Sequence, residues 1–334
     1  MKLRFVWAAA VLVAGTATAA VNAGADGGYL AVWEGRVSSE AGVVRELGDR
    51  EYAFPSPDGD AFAVVALREG VMPLASSVTV YDGTGRTLWS LADSGATTAY
   101  VADSGAAVLV TRFYVDPKAP ALLEFYSASG VKAGEAEVGP PLDAAFFPGQ
   151  EKLALIELGG ATIVFDPATG EEEYRLPAAR TAAPGPGETV LLVGREWMAL
   201  YRGATELWRV NHSIYFPRLA YVSADGARAV VGGHHEVVLV SLAEGRMGRR
   251  WEAPAGFALT DLAASPDFAS FAVAYRSLDG VEAAAWLDEG FSVITEVKRN
   301  VARPSGSSPA VALPAGGADG IVVMGQGWHT TLTR

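Results

Sequence analysis

The sequence predicts an all-β protein assembled from a repeated four-stranded unit. The first observation is the segment SPDGDAFAVV at residues 56–65, which joins a Ser-Pro-Asp-Gly turn to an apolar run. The second is that weaker copies begin near residues 102, 147, 185, 223, 265 and 314. The third is that helical spacing of apolar residues is not sustained after residue 20, whereas strand-length runs bounded by turn residues recur throughout.

The spacing of the copies defines the repeat unit. One turn position per copy gives intervals of 38 to 48 residues, with a mean of about 43. A period of about 40 to 45 residues is typical of the four-stranded blades of a β-propeller. The turn positions are Asp58, Asp103, Gly149, Gly187, Asp225, Asp267 and Ala315. Seven turns therefore predict a seven-bladed propeller of antiparallel sheets.

The first repeat contains four strand-length segments: REYAF, AFAVVAL, SSVTVYD and RTLWSL. The SPDG segment lies between the first two, where Pro fixes φ, Asp accepts backbone hydrogen bonds and Gly takes a positive φ. We interpret it as a hairpin turn; a ligand-binding loop is the alternative. Later runs such as VLLV do not alternate in polarity, as expected for strands buried on both faces between neighbouring blades.

The two ends of the chain predict how the ring closes. The last repeat, IVVMGQGWHTTLTR, is too short for four strands, and the segments YLAVWEG and GVVREL precede the first turn without a blade of their own. We expect residues 29–47 to complete the seventh blade by pairing with residues 309–334. Such pairing would leave no open sheet edge.

A second recurring pattern carries a family resemblance. DGTGRTLW ends at Trp89, DPATGEEEY ends at Tyr174, and looser forms end at Trp208 and Trp251. An Asp, a Thr-Gly turn and an aromatic residue on the outer strand resemble the blades of quinoprotein-type and WD-repeat propellers. The resemblance implies that these aromatic residues dock against the adjacent blade, and we expect them to be packing residues rather than ligand contacts.

The N-terminus predicts export. Lys2 and Arg4 precede an apolar stretch at residues 5–14 and then Ala17-Thr18-Ala19, the pattern of a cleaved signal peptide. The stretch is shorter than the roughly 20 residues that a membrane span needs, and a retained N-terminal anchor is the alternative. We therefore expect residues 1–19 to be a signal peptide, residues 20–334 to be one propeller domain, and the mature protein to be periplasmic or secreted without a membrane span.

Composition limits the partners. The chain has no cysteine, which excludes disulfides, thiolate metal sites and a lipid-bearing cysteine. Loss of the two signal-peptide cations leaves 24 basic against 38 acidic residues, a net charge of about −14. Nucleic acid is not expected as a partner, because binding to the phosphate backbone depends on basic residues.

Sequence signatures of catalysis are missing. The chain has no GxSxG elbow and no GxxxxGK phosphate loop. The sequence His234-His235-Glu236 suggests a metal site, but adjacent residues in a strand point in opposite directions, so an exposed turn is the favoured interpretation. We predict no catalytic residues, no resident metal and no cofactor.

Superposing the repeats indicates one candidate binding surface. In a propeller, the loop after the second strand and the loop before the first strand open on the same face, around the mouth of the central channel. Counting about nine residues past each turn, or seven back, places charged residues around that mouth. The basic and aromatic candidates for ligand binding are Arg68, Arg112, Arg180, Arg195, Arg218, Arg276, Trp197, Tyr215, Phe216 and His234. Arginine suits carboxylate or phosphate ligands, and pairing with nearby acids is the structural alternative.

These observations leave three functions open. The favoured hypothesis is an exported, non-catalytic propeller that binds a protein, peptide or small anionic ligand at the channel mouth. The resemblance implies a second, a propeller enzyme that uses pyrroloquinoline quinone or calcium; Glu51, Asp143 and Asp261 are the inner-strand carboxylates available for such an ion. The third is a purely structural subunit of an envelope assembly.

Overall fold

The computed structural model describes most of the chain. The described ranges are 20–23, 29–33, 35–39, 42–57, 59–68, 76–112, 120–148, 150–265, 267–301, 310–312, 321–325 and 328–332. All regular secondary structure in these ranges is β-strand. No helix within them has the length and apolar character needed to cross a membrane. The predicted signal peptide, residues 1–19, lies outside the described residues.

The strands form consecutive antiparallel sheets, which we number in chain order. Sheet 1 contains β1 (Ala20–Ala23), β2 (Tyr29–Trp33), β3 (Arg36–Ser39) and β4 (Gly42–Glu46). Sheet 2 contains β5 (Glu51–Pro55), β6 (Ala61–Leu67), β7 (Ser76–Asp82) and β8 (Thr87–Leu91). Sheet 3 contains β9 (Ala96–Val101), β10 (Ala107–Arg112), β11 (Ala121–Tyr126) and β12 (Lys132–Val138). Sheet 4 contains β13 (Pro141–Phe146), β14 (Leu153–Glu157), β15 (Thr162–Asp166) and β16 (Glu171–Leu176).

The second half continues the pattern. Sheet 5 contains β17 (Thr181–Pro184), β18 (Thr189–Val193), β19 (Trp197–Arg202) and β20 (Thr205–Asn211). Sheet 6 contains β21 (Leu219–Val222), β22 (Arg228–Gly232), β23 (Glu236–Ser241) and β24 (Arg246–Glu252). Sheet 7 contains β25 (Phe257–Ala264), β26 (Ser270–Ser277), β27 (Val281–Asp288) and β28 (Val293–Asn300). Sheet 8 has three strands in the described residues, β29 (Ala310–Ala312), β30 (Ile321–Gly325) and β31 (Trp328–Leu332).

The sheets form a β-propeller. Each sheet runs outward from its first strand to its last, and the first strands of successive sheets pack around a central channel. The second and third strands are almost entirely buried, because their side chains pack between two neighbouring sheets. The all-β prediction and the seven four-stranded antiparallel sheets are therefore confirmed.

The predicted pairing at the ends of the chain needs a correction. Within the described residues, β2, β3 and β4 hydrogen-bond with one another and with β1, and none of them pairs with β29, β30 or β31. The physical reason is that β1 supplies an innermost strand, paired from Ala20 with Val32 to Ala23 with Tyr29, so the N-terminal segment forms a sheet of its own. Sheet 8 is separate, and its strand β29 packs against both β25 and β1.

The repeated Ser-x-Asp segments are hairpin turns. In sheets 6 and 7 the hydroxyls of Ser223 and Ser265 donate to Asp225 and Asp267, at 2.6 Å and 2.7 Å. Each of these aspartates also accepts the backbone N–H two residues later. Gly59 and Gly226 take a positive φ, as predicted, and Phe268 occupies that position in sheet 7 with its ring buried against Phe271. The turn positions Asp58, Gly149 and Ala315 lie outside the described residues.

The outer-strand tryptophans join neighbouring sheets, as predicted. Trp89 in sheet 2 is 7% exposed, stacks on Tyr126 of sheet 3 at 5.5 Å, and donates its indole N–H to the carbonyl of Gly105 at 3.0 Å. Trp208 of sheet 5 donates to the carbonyl of Leu242 in sheet 6 at 2.6 Å. These contacts connect each outer strand to the neighbouring sheet.

Candidate ligand-binding site at the channel mouth

One edge of the ring carries the loops on which the sequence placed its candidates. The turn between the second and third strands contacts the connection to the next sheet, as when the N–H of His212 donates to Glu196 and that of Ala253 donates to His235. The Ser-x-Asp turns lie at the opposite edge, where the N–H of Leu242 donates to Ala227. We call the first edge the mouth face. These hydrogen bonds place the two kinds of loop at one edge in sheets 5 to 7; that this edge binds a ligand stays a prediction.

The predicted arginines on this face do not form one ring. Arg68 makes an ion pair with Asp93 at 2.8 Å and donates to the carbonyl of Ala92, so it is held at sheet 2. Arg195 is exposed and lies 3.7 Å from Glu196. Arg276 is opposite the fully buried Glu282 across β26 and β27. The side chain of Arg112 lies outside the described part of the chain.

Arg180 and Phe216 come together at the connection between sheets 5 and 6. The guanidinium carbon of Arg180 lies 4.4 Å from the centroid of the Phe216 ring, a cation–π distance. Phe216 is 52% exposed and has a φ of 55°, a left-handed conformation that is unfavourable for a bulky side chain. The fold thus holds an aromatic ring in the open, under an arginine, at a conformational cost.

Tyr215 extends this aromatic surface. Its side chain is 62% exposed, and its ring centroid lies 5.9 Å from the rings of both His234 and His235. The N–H of His234 donates to the carbonyl of Tyr215 at 2.7 Å, which ties the two loops together. Burial, together with the charges of His235 and Arg218, lowers the pKa of His234. The imidazole is therefore mainly neutral at neutral pH.

A buried carboxylate supports the loop at residues 212–218 from below. Glu236 is 4% exposed; its Oε1 accepts the N–H of Tyr215 at 2.9 Å, and its Oε2 lies 3.2 Å from Arg250. Arg250 also reaches the hydroxyl of Ser213. Glu236 belongs to the sequence that suggested a metal site, but in the structure it positions this loop. The backbone of Tyr215 is consequently held by a buried carboxylate.

Four candidate side chains lie on or next to the innermost strands, which surround the channel. Arg218 precedes β21, Tyr221 lies in β21, Asp261 lies in β25, and Asp143 lies in β13. Tyr221 interacts electrostatically with both carboxylates, and Asp261 also interacts with Arg218. Sheets 4 and 6 are not neighbours in the ring, so Asp143 and Tyr221 interact across the channel. Tyr221 is thus coupled to one carboxylate from each of two other sheets, whereas Asp143 and Asp261 have no effect on each other's pKa.

The surrounding protein shifts the pKa of all four groups. Burial raises the pKa of Asp143 and of Asp261 to about 6, although backbone N–H groups that donate to them act in the opposite direction. Burial raises the pKa of Tyr221, and the two aspartates raise it further, although 40% of this side chain is exposed. Desolvation lowers the pKa of Arg218, and the charge of Asp261 partly offsets that effect. This combination is expected in a narrow channel that is open to solvent.

A shift in strand register comes just before each of the two aspartates. The register of β13 with β14 shifts between Pro141 and Asp143, and that of β25 with β26 shifts between Leu259 and Asp261. Each aspartate follows the shift and accepts the N–H of the next residue at 2.9 Å. A β-bulge re-aims side chains, and bulges are over-represented next to functional sites. Asp261 alone has a further backbone donor, Val311, at 3.0 Å.

Two other predicted residues serve local structure. Glu51 makes an ion pair with Arg45 at 3.1 Å and accepts the N–H of Gly48, and nothing in the structure couples it to Asp143 or Asp261. Trp197 packs under the guanidinium of Arg209 at 4.3 Å and lies directly over Gly194. Among the residues that the structure describes, no three His, Asp or Glu side chains form a group that could hold a metal ion.

The sequence reasoning missed two residues at this site, Tyr221 and His235. Tyr221 lies on the innermost strand of sheet 6, three residues after Arg218. Its place in the first strand of a repeat is the signal that could have identified it, because those strands line the channel. His235 is not identifiable in this way, because only the fold of the turn brings its ring against Tyr215.

Comparisons with known proteins support the fold and leave the family open. No protein-family model and no curated protein matches the chain. Among solved structures, KlHsv2 with loop 6CD replaced by a Gly-Ser linker is similar with a TM-score of 0.61 and 12% identity, over 81% of this chain and 87% of that one. The β-propeller domain of Myceliophteria thermophila Cps50 (Swd1) gives 0.58 and 10%, over 84% and 94%. Kluyveromyces lactis Hsv2p gives 0.57 and 11%, over 81% and 88%. At such low identity, the likeness shows a shared propeller fold.

Proposed function

We propose that this protein is a non-catalytic binding module whose mouth face binds a peptide segment of a partner protein. The segment carries an acidic side chain next to an apolar or aromatic one. The acidic group contacts Arg180, and the apolar group packs on Phe216 and Tyr215. The observation that carries the proposal is the exposed, left-handed Phe216 held 4.4 Å under Arg180.

The energetics of the surface support binding over a purely structural role. An exposed aromatic residue with a positive φ is strained, and strain of about 1 to 3 kcal/mol is characteristic of ligand-contact sites. The loop is buttressed by the buried Glu236, so little ordering is required when a ligand binds. Tyr and Arg are also enriched at the energetic centres of interfaces. The mouth surface thus presents an arginine beside exposed aromatic rings, although the net charge of the protein is −12.

The test is binding of an array of short peptides that place Asp or Glu beside Phe, Trp or Leu. We expect Arg180→Ala to weaken the best peptide by about tenfold or more, since a charge-assisted contact contributes about 1.5 to 3 kcal/mol. Phe216→Ala should weaken it by a similar factor, because truncating an aromatic residue at the centre of an interface costs about 2 kcal/mol or more. Calorimetric titration measures the affinity, and a melting curve verifies the fold of each variant.

Arg68→Ala is the matched control, because Arg68 lies on the same face but is paired with Asp93 at sheet 2. Its affinity for the peptide should equal that of the parent protein. Equal weakening by Arg68→Ala and Arg180→Ala would show only diffuse electrostatic attraction and would overturn the proposed surface. So would peptides that bind as well after Asp and Glu are replaced by Asn and Gln.

We further propose that the protein is exported and that residues 1–19 are removed. The basic start, apolar stretch and Ala17-Thr18-Ala19 support this, and β1 begins at Ala20, so cleavage there leaves the innermost strand of sheet 1 intact. Mass spectrometry of the exported protein should show a chain that begins at Ala20. An intact Met1 on membrane-bound material would contradict the proposal.

A further inference from the structure

We propose that protonation of the buried His212 opens the loop at residues 212–218 and thereby removes the surface formed by Tyr215 and Phe216. As a regulation of peptide binding, this switch rests on the proposed function. The movement of the loop does not, because it follows from contacts within the chain and is measurable without a ligand.

The loop is attached at its two ends and closed by a histidine between them. The N–H of His212 donates to the carbonyl of Glu196, and that of Arg218 donates to the carbonyl of Gly232, both at 3.0 Å. Inside these anchors, the N–H of Ile214 donates to Nδ1 of His212 at 3.2 Å. Ile214 is 2% exposed, so this contact holds the apolar anchor of the loop in the core.

A proton on the imidazole is incompatible with this contact. Because Nδ1 of His212 accepts the N–H of Ile214, the neutral ring carries its hydrogen on Nε2. A second proton must bind Nδ1, which then becomes a donor that faces the Ile214 amide. The closed loop offers no compensation, since Nε2 has no hydrogen-bond partner among the described residues and the side chain is 9% exposed. The charged ring is accommodated when the loop moves and water reaches it.

Burial controls the protonation of His212. It lowers the pKa of this group below its usual value of 6.5, although the carbonyls of Trp197 and Gly194 and the charges of Glu236 and Glu196 act in the opposite direction. The charged and titratable groups on the elements around the loop are Arg195, Glu196, Arg209, His234, His235, Glu236 and Arg250. Arg250 lies 3.2 Å from Glu236, so the carboxylate at the start of β23 is already paired.

The sign of the pH effect follows from these two states. In the open loop His212 is solvated and regains its ordinary pKa of about 6.5, so the open loop binds more protons than the closed one in mild acid. The stability of the closed loop is therefore fully present above about pH 6.5 and is lost as the pH falls. Phe216, with its strained φ of 55°, relaxes when the loop opens, which favours the same direction.

Hydrogen exchange measures the opening directly. The amides of Ile214 and Tyr215 both donate to side chains, Nδ1 of His212 and Oε1 of Glu236, so their protection reports closure of the loop. After correction for the intrinsic effect of pH on exchange, we expect their protection to fall severalfold from pH 7.5 to pH 5. The ordinary pKa of 6.5 sets an upper limit of about thirtyfold. Protection of β18, a buried strand of sheet 5, should not fall in parallel.

His212→Asn is the matched variant, because an asparagine oxygen can accept the N–H two residues later but does not titrate. Its loop should be protected equally at both pH values. His212→Ala removes the acceptor, so its loop should be less protected than that of the parent at pH 7.5. Melting curves verify the fold of each variant.

Two outcomes would overturn the switch. One is unchanged protection of the loop in the parent protein at pH 5. The other is an equal loss of protection in His212→Asn, since this variant retains Glu236 and His234 and would assign the response to them. No ligand is present, so failure of the peptide test leaves this result standing, and failure of the switch leaves peptide binding at pH 7.5 unaffected.

Discussion

Replacing Trp89 with alanine should lower the free energy of unfolding by about 3 to 5 kcal/mol. The indole of Trp89 is 7% exposed, stacks on Tyr126 of the next sheet and hydrogen-bonds to the carbonyl of Gly105. The alanine variant loses the stacking and the hydrogen bond, and leaves a cavity between sheets 2 and 3. Because the backbone of Gly130 lies directly against Trp89, with no side chain that could fill the space, little collapse is expected. Urea denaturation with a slope common to both proteins measures the difference.

Two further variants separate packing from the polar contact. Trp89→Phe keeps an aromatic ring on Tyr126 but loses the indole donor, so its cost should lie between that of the alanine variant and zero. Val293→Ala removes apolar atoms from an exposed position on β28 and should change stability by about 0.5 kcal/mol or less. A loss below about 1 kcal/mol for Trp89→Ala would show that sheets 2 and 3 are held together by other contacts.

The turns and the outer-strand aromatics were predictable because their chemistry is local. A Ser hydroxyl, an Asp two residues later and a residue able to take a positive φ are enough to close a tight turn, as at Ser223 and Asp225. A tryptophan within an exposed outer strand, such as Trp208 in β20, has one place to bury its ring, which is the neighbouring sheet. These features repeat at a fixed period, and the period predicts a propeller.

The strand order at the ends was not predictable from such local signals. The innermost strand β1 has the sequence AVNA, which contains a single β-branched residue and adjoins the predicted cleavage site. Nothing in its composition distinguishes a strand from the end of a signal peptide. Only its pairing with β2 shows that the N-terminal segment forms its own sheet.

The sequence predicts which loops carry the candidate residues, but it does not predict their contacts. Counting from the turns assigns Arg180, Arg218 and Arg68 to loops at one edge of the ring, because the edge follows from topology; that they bind a ligand stays a prediction. Their contacts depend on side-chain directions that the count does not contain. Arg68 turns to Asp93 within its own connection, whereas Arg180 crosses to Phe216 of the next one. Likewise, the count grouped Glu51 with Asp143 and Asp261, but Glu51 makes its ion pair with Arg45 of sheet 1.

The second large effect concerns the stability of the channel itself. Asp143 has a pKa of about 6 in the folded protein, against an ordinary value of 3.8, because burial disfavours its charged form. The folded state therefore binds more protons than the unfolded state between about pH 4 and pH 6. The stability that this group contributes is fully present below about pH 4 and is lost as the pH rises through 6. At pH 7.5 the folded protein holds a desolvated charge in the channel.

Asp143→Asn should consequently make the protein more stable at pH 7.5. Asparagine keeps an oxygen that can accept the N–H of Ala144, as Asp143 does at 2.9 Å, but carries no charge at any pH. A shift of about two pKa units corresponds to at most about 3 kcal/mol, and contact with solvent in the channel reduces the expected gain to about 1 to 2 kcal/mol. At pH 4 the gain should vanish, since the parent carboxyl is then mostly neutral in the folded protein. Urea denaturation at the two pH values measures this difference.

Glu137→Gln, on the exposed face of β12, removes a carboxylate without touching the channel and should show no comparable gain at pH 7.5. An Asp143→Asn variant that is no more stable than the parent at pH 7.5, or that gains as much at pH 4, would contradict a desolvated charge at this position. A gain confined to neutral pH would show that this carboxylate is kept at a cost to stability. A residue whose role is purely structural would instead lose stability when replaced.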